Sequence, residues 1–300
     1  MDASVAGEAS LMIPAVLGLR TRAAERASSS QRPLKRVLVA YSAIERTLRG
    51  EAKELEAELE TIRTAHTIAE QLSVARMRAQ AYVVNGLDDV DRIARDFDVD
   101  HTLVFNLCEH LQGDTHRDGE IAQRMADLNI TFTGASVATL VNALDKARTK
   151  AMLKAAGVPT ARYQVFERAN EPCRVPLPAI VKPLAEDASI GIDRDSVVFD
   201  ERSLRRRVAY VLGLYREPVL VEEFIDGREF NVGMWGNGRL HVLPVAELDY
   251  GEWPTFQRFL HFDAKWNADA PEYKTMYVRC PADIDEALAE KIRKVAKQAY

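Results

Sequence analysis

Apolar residues along this chain follow two periods in alternation. KRVLVAY (35–41), QAYVVNG (80–86), HTLVFNL (101–107) and ITFTG (130–134) are short apolar runs bounded by polar or glycine-containing segments, the pattern of β-strands. From Glu51 to about Ala79 the apolar positions Leu55, Leu59, Ile62, Ala65, Ile68, Ala69 and Leu72 recur at spacings of three and four, which predicts one amphipathic helix. Its stripe fits only about three heptads, so it is expected to lie on a sheet rather than in a coiled coil. GEIAQRMADLN (119–129) predicts a further helix. Strands alternating with helices imply a mostly parallel sheet.

The pattern changes near Ala135. Ser136 is the expected cap of a helix running through DKARTKAMLKAAG (145–157), with Leu144, Ala147, Ala151 and Leu153 on its apolar face and Gly157 as its stop. RYQVF (162–166), LPAIVKP (177–183) and EPVLVEEF (217–224) read as strands and ERSLRRRVAYVLGL (201–214) as a helix, together a small α+β lobe. FNVGMWG (230–236) and RLHVLPVAEL (239–248) flank Gly236-Asn237-Gly238, a hairpin signal that opens an antiparallel unit. FDAKW (262–266) is read as a mobile-looking loop. Asp283, with Glu286 three residues on, is the expected cap of a last helix whose stripe is Ile284, Leu288, Ile292, Val295 and Ala299. The expected division is a flexible tail (1–33), an α/β substrate domain (34–135), a central lobe (136–225) and a C-terminal lobe (226–300).

Composition narrows the function classes. A chain of 300 residues with 47% hydrophobic content can bury a substantial core. Its net charge of -5, without long blocks of either sign, does not suit a nucleic-acid backbone. Three separated cysteines (Cys108, Cys173, Cys280) match neither a zinc motif nor a disulfide framework, which suits a reducing cytoplasm. The run LMIPAVLGL (11–19) is too short to span a bilayer, and Asp2 and Glu8 precede it without any Lys or Arg, the wrong sign for a signal peptide. The expected setting is therefore cytoplasmic, with no membrane partner.

The candidate chemistry centres on VEEFIDGREF (221–230). A strand ends in Glu222 and Glu223, Asp226-Gly227 turns the chain, and a second strand carries Glu229. Two such layers could hold a purine, with hinge groups around Glu223, Phe224 and Ile225 at its edge and Glu229 at the ribose. Lys146, Lys182 and Lys265 are the expected cations around phosphates, because phosphoryl transfer asks chiefly for fixed positive charge. Lys150 is expected to be a solvated helix charge. The loop AEDASIG (185–191) offers Ser189 and Gly191 for close phosphate approach, although it is neither a Walker loop nor a dinucleotide fingerprint. In VFNLCEH (104–110), at the carboxyl end of a parallel strand, Glu109 is the candidate amine contact, and His110 is read as a helix-start or surface histidine.

Together these blocks resemble the ATP-grasp superfamily and, within it, the D-alanine-D-alanine ligase-like group. The resemblance runs from Lys35 to Tyr300 through VFNLCEH, NALDKARTKAMLKAAGVPTARYQVF, LPAIVKPLAEDASIGI, VLVEEFIDGREFNVG and FDAKW followed by CPA. It implies ATP gripped between the central and C-terminal lobes, with Lys146 and Lys182 on phosphates, Glu222 to Ile225 on adenine, Glu229 on the ribose, and Lys265 with Ser189 at the reacting phosphate. The implied reaction joins a carboxylate to an amine, both expected to be amino acids, through an acyl phosphate, with ATP and Mg2+ as cofactors. A non-catalytic ATP-binding regulatory module and a phosphotransferase of the same fold stay open as alternatives. In close D-alanine-D-alanine ligases the phosphate loop reads Gly-Ser-Ser and a tyrosine follows the loop lysine; here Asp187-Ala188-Ser189 and Trp266 stand there, so the hydroxyl pair linking loop to loop is expected to be absent. The family's magnesium strands, Arg-x-Asp and Glu-x-Asn, would fall beyond Tyr300, so the C-terminal lobe is expected to be incomplete as given. A homodimer is allowed, and nothing in the sequence sets the oligomeric state.

Overall fold

Residues 33–44, 47–236 and 239–300 are described by a computed structural model. The expected tail, apart from Pro33, lies outside these residues, as do Asn237 and Gly238 of the expected hairpin turn.

The first unit has β1 (Arg36–Tyr41), α1 (Leu55–Val74), β2 (Ala79–Val83), α2 (Leu87–Asp96), β3 (Thr102–Leu107), α3 (Asp118–Asp127) and β4 (Thr131–Phe132). Its sheet runs β2-β1-β3-β4 and is wholly parallel, as the alternation implies. Leu38, Ala40 and Val104 face α2 and α3, through Val90, Ile93, Ile121 and Met125, while Val37 and Val39 meet Ala65 and Ala69 of α1. The central strand is thus buried on both faces, which explains its unbroken apolar run. Helix α1 begins after a 3-10 turn at Ala52–Glu54 and ends at Val74. Leu59 of its expected stripe is exposed; Ala57, Ala65 and Ala69 make the buried contacts, small side chains that let the helix lie close.

The expected single helix at the start of the second unit is two, α4 (Val137–Leu144) and α5 (Lys146–Ala155). Asp145, in extended conformation, ends the first and caps the second by accepting from the Arg148 N–H at 3.0 Å. Ser136 caps α4 in the same way, accepting from Thr139 N–H at 3.2 Å. Then come β5 (Tyr163–Phe166), β6 (Ala179–Pro183), β7 (Val197–Val198), α6 (Glu201–Tyr215) and β8 (Val219–Glu223), with an antiparallel sheet ordered β5-β8-β6-β7. Leu204, Val208, Val211 and Tyr215 of α6 pack on its Val181, Val219 and Val221.

The third unit opens with β9 (Glu229–Asn231) and the antiparallel pair β10 (Met234–Trp235) and β11 (His241–Val242), as the hairpin signal requires. β12 (Ala246–Asp249), α7 (Phe262–Trp266), α8 (Pro271–Thr275), β13 (Tyr277–Arg279) and α9 (Glu286–Ala299) follow, and β9, β12 and β13 form an antiparallel sheet ordered β13-β12-β9. The cap of α9 is Asp285, not Asp283; its carboxylate accepts from Leu288 N–H at 2.8 Å. On its stripe Ile284, Leu288, Ile292 and Val295 are half-buried and Ala299 is exposed. Among the described residues no helix is long and apolar enough to cross a membrane.

Candidate functional site

The carboxyl end of β3, the loop between β6 and β7, the start of α5 and helix α7 come together. The loop is strained by design: Ala188, Ser189 and Gly191 have φ of 49°, 65° and 72°. At Gly191 a Cβ would stand 2.4 Å from Pro183 Cγ, so only glycine fits. FDAKW is a helix, capped by His261, rather than a mobile loop. It is tied to the glycine loop: Trp266 Nε1–H donates to Ala188 O at 2.8 Å and Phe262 N–H to Ile192 O at 2.8 Å. The Ser189 hydroxyl donates to Leu260 O at 2.9 Å. The two segments are therefore linked without the hydroxyl pair, whose absence was expected, by an indole and a serine. Ser189, expected at the reacting phosphate, has its hydroxyl proton committed to that link.

Three lysines stand at this junction in different states. Lys146 is the first residue of α5, and its Nζ donates to the carbonyls of Leu184 (3.3 Å) and Glu186. Burial, then the neighbouring Lys182 ammonium, pushes it down to about 8. Lys265 is also lowered by burial, against the opposing pull of Asp187 and Glu109. Among the described residues neither Lys146 nor Lys265 forms an ion pair. Lys182 does: its Nζ lies 2.6 Å from Glu222 Oε2, while Lys150 Nζ lies 2.5 Å from Glu222 Oε1 and 2.7 Å from Thr160 Oγ1. Lys150 is thus 7% exposed and paired, not a solvated charge. Burial acts to raise the Glu222 carboxyl, but the two lysines outweigh it and hold it down.

The hinge departs from expectation in detail. Glu222 faces the lysines rather than a base edge. Glu223 pairs with the exposed Arg162 at 2.9 Å, and its amide donates to Arg162 O at 2.9 Å. The Phe224 amide donates to Pro178 O at 3.0 Å, so neither of these two amides is turned toward a base. Ile225 is 70% exposed. The Phe224 ring instead joins Phe259 and Phe256, at centroid distances of 5.7 and 6.2 Å. Glu229, on β9, accepts from the Tyr250 hydroxyl at 2.6 Å through Oε2.

Glu109 stands at the carboxyl end of β3, where Thr61 Oγ1–H donates to it at 3.3 Å. Its side chain is exposed, yet the protein surrounding it, then Asp187 and Glu58, pushes it up to about 7, with Thr61 and Lys265 pulling the other way. Asp187 is likewise raised by its surroundings, and Lys146 and Lys265 oppose that. The field of Asp187 therefore links both unpaired lysines with Glu109. His110 is neither a helix-start nor a surface residue: it is 1% exposed. Gly113 N–H donates to its Nδ1 at 3.1 Å, which leaves the proton on Nε2 to reach Glu58 at 2.9 Å.

Known proteins give this geometry a family. Residues 152–300 match the family described as D-ala D-ala ligase C-terminus. An uncharacterized protein of Sinorhizobium fredii, y4sG, is 32% identical over 199 residues, 66% of this chain and 56% of that protein. The D-alanine–D-alanine ligase of Chelativorans sp. is 30% identical over 233 residues, 75% of this chain and 68% of that protein. This chain belongs to the D-alanine–D-alanine ligase family. Its ATP-grasp fold is also seen in the D-alanine–D-alanine ligase from Bacillus anthracis in complex with ATP, with a TM-score of 0.62 at 17% identity over 90% of this chain and 78% of that one. The chain spans little more than half the length of several such relatives, 56% in the case of y4sG.

Two features could hold a polyanion: the adjacent Lys146 and Lys182, and Lys265, which has no carboxylate partner among the described residues. Among the described residues magnesium has no comparable set. Among the described residues one group has metal-ligand spacing, His116, Glu186 and Glu217. Its donors are already engaged, with His116 Nε2 at 2.6 Å from Glu217, Ala185 N–H donating to Glu217 at 2.8 Å and Thr115 to Glu186 at 3.1 Å. Sequence reasoning missed Asp187, Glu58 and the Lys150–Glu222 pair. Only for Asp187 was there a signal, an acidic residue inside a loop meant for phosphate.

Proposed function

We propose that this chain joins a carboxylate to an amine at the expense of ATP. A carboxylate oxygen of the first substrate attacks the γ-phosphorus, ADP departs, and the amine of the second then attacks the acyl carbon and expels phosphate. The observation that carries the reading is the convergence of Lys146, Lys182 and Lys265 around Asp187 and Glu109.

ATP, when bound, supplies the phosphoryl group. Lys146 and Lys182 are placed to hold its phosphates, and Lys265 to neutralise charge where the phosphoryl passes. Glu229, oriented by Tyr250, is the candidate ribose contact, and the Phe224 ring a face for the base. Glu109, a carboxylate on the amine side, would bind an ammonium. Asp187 in place of a small loop residue adds negative charge beside Glu109, which favours substrates carrying a second ammonium over simple D-alanine.

The test is phosphate release from ATP across pairs of D- and L-amino acids, with the amide product identified by mass. Release that requires both an acid and an amine, with one amide formed per phosphate, is the expected result. ATP binding without amide formation for any pair would overturn the ligase reading in favour of a regulatory module, and transfer to a hydroxyl would favour a phosphotransferase.

A further inference from the structure

The turn Gly50–Glu54 links β1 to α1, yet it reaches across to both other units. Glu54 is 3% exposed. Its Oε1 accepts from the Gly191 amide at 2.9 Å and the Tyr215 hydroxyl at 2.6 Å, and its Oε2 from the Glu51 amide at 2.8 Å. Among the described residues no Lys, Arg or His pairs with it. Burying a carboxylate without a cation is unfavourable, and a leucine would fill the space without that penalty. The local backbone is shaped around the carboxylate. At Gly50, φ +83°, a Cβ would stand 2.1 Å from Glu54 Oε2, and at Gly191 one would meet Tyr215 at 3.0 Å.

Its neighbours extend the contact. Glu51 accepts from the Tyr210 hydroxyl of α6. Lys53 lies 3.7 Å from Asp263 of α7, with its ammonium 5.7 Å from the Phe262 ring centroid. Three residues within one stretch of four, Glu51, Lys53 and Glu54, therefore touch α6, the glycine loop and α7 together.

We propose that Glu54 is a positioning residue that clamps the 185–191 loop in its left-handed conformation and couples that loop to the unit carrying Glu109. The proposal rests on the reading of this loop as the phosphate loop. Movement of the first unit would then pull on Gly191 directly, so occupancy of the amine side and order in the phosphate loop are joined through one side chain.

Hydrogen exchange of the peptide covering 187–192, measured without nucleotide on wild type, Glu54→Ala and Glu54→Gln, tests the clamp, and ATP titration of the same proteins tests its consequence. Glu54→Ala should exchange about tenfold faster there, with the β1–β4 sheet unchanged, and bind ATP about fivefold or more weakly. Glu54→Gln keeps an acceptor at the Oε1 position and should restore both. If Glu54→Ala fails to fold, Tyr215→Phe, which deletes one donor, should still speed exchange in the loop about threefold. Unchanged loop exchange in these variants, or acceleration spread evenly through all three sheets, would overturn the proposal. Wild type that fails to bind ATP while loop exchange responds to Glu54→Ala would leave the clamp standing and remove the nucleotide reading instead.

Discussion

Lys146 and Lys182 are neighbours with different counter-charges. Lys182 shares Glu222 with Lys150, whereas Lys146 rests on two carbonyls. Lys146→Ala should therefore weaken ATP binding by about 1.5–3 kcal/mol, the range for a hydrogen bond to a charged group, with the fold intact. Glu222→Gln should act in opposite directions on two observables. It removes a negative charge beside the phosphates, so ATP should bind no more weakly than to wild type, while leaving Lys150 buried without its carboxylate should lower stability by about 3 kcal/mol or more. Calorimetric titration and thermal unfolding of the two variants separate these effects; weaker ATP binding by Glu222→Gln would place Glu222 on the nucleotide after all. The strands that carry Lys182 and Glu229 were legible because short apolar blocks mark them. The pairing of Lys150 was not, since its partner lies 72 residues away and a lysine on a helix looks the same in sequence whether it faces water or a buried acid.

Capping decides where Lys146 stands. Asp145 ends α4 and starts α5, which makes Lys146 the first helical residue and fixes its Nζ over the Glu186 carbonyl. Asp145→Ala should cost about 1 kcal/mol of stability, as N-caps do, and also weaken ATP binding by releasing Lys146. Ser136→Ala, which removes the equivalent cap from α4, should cost a similar amount of stability and leave ATP affinity unchanged. Unfolding curves and titrations of both variants make the comparison, and equal ATP affinities would sever the cap from the site. Periodicity could not reveal this break, because apolar residues continue at helical spacing from α4 into α5 while the interruption is a single extended residue. Helix α7 was hidden for a related reason: five residues are too few to display a period. The long elements, α1, α6 and the parallel strands, were readable since their burial imposes the pattern over many residues.

The three units meet through polar side chains, and one of these contacts should make stability depend on pH. Glu186 faces Glu217 and Arg49, with Thr115 donating to it and Asp187 nearby; burial, then Glu217, pushes its carboxyl up to about 7. The folded protein thus holds this proton more tightly than the unfolded chain, whose carboxyl titrates near 4.5. That contribution favours folding at low pH and is lost as pH rises through about 7. Glu186→Gln cannot titrate, so its unfolding temperature relative to wild type should rise between pH 5 and pH 8; a difference that is flat or falls would show that Glu186 is ionised throughout. Contacts of this kind, including the one from Glu54 to Gly191 across 137 residues, leave no trace in a single sequence, because each partner is an ordinary acid or glycine until the fold brings them together. The central claim is that ATP binds where the three units meet, through Lys146 and Lys265, which have no carboxylate partner among the described residues, and through Lys182, which shares Glu222 with Lys150. Its most direct test is equilibrium titration of ATP into the folded wild-type chain and Lys146→Ala side by side. Saturable binding to wild type, at least tenfold weaker in the variant, is the result expected from the loss of a charged contact. No binding to the folded wild type, or equal affinity in both proteins, would contradict it.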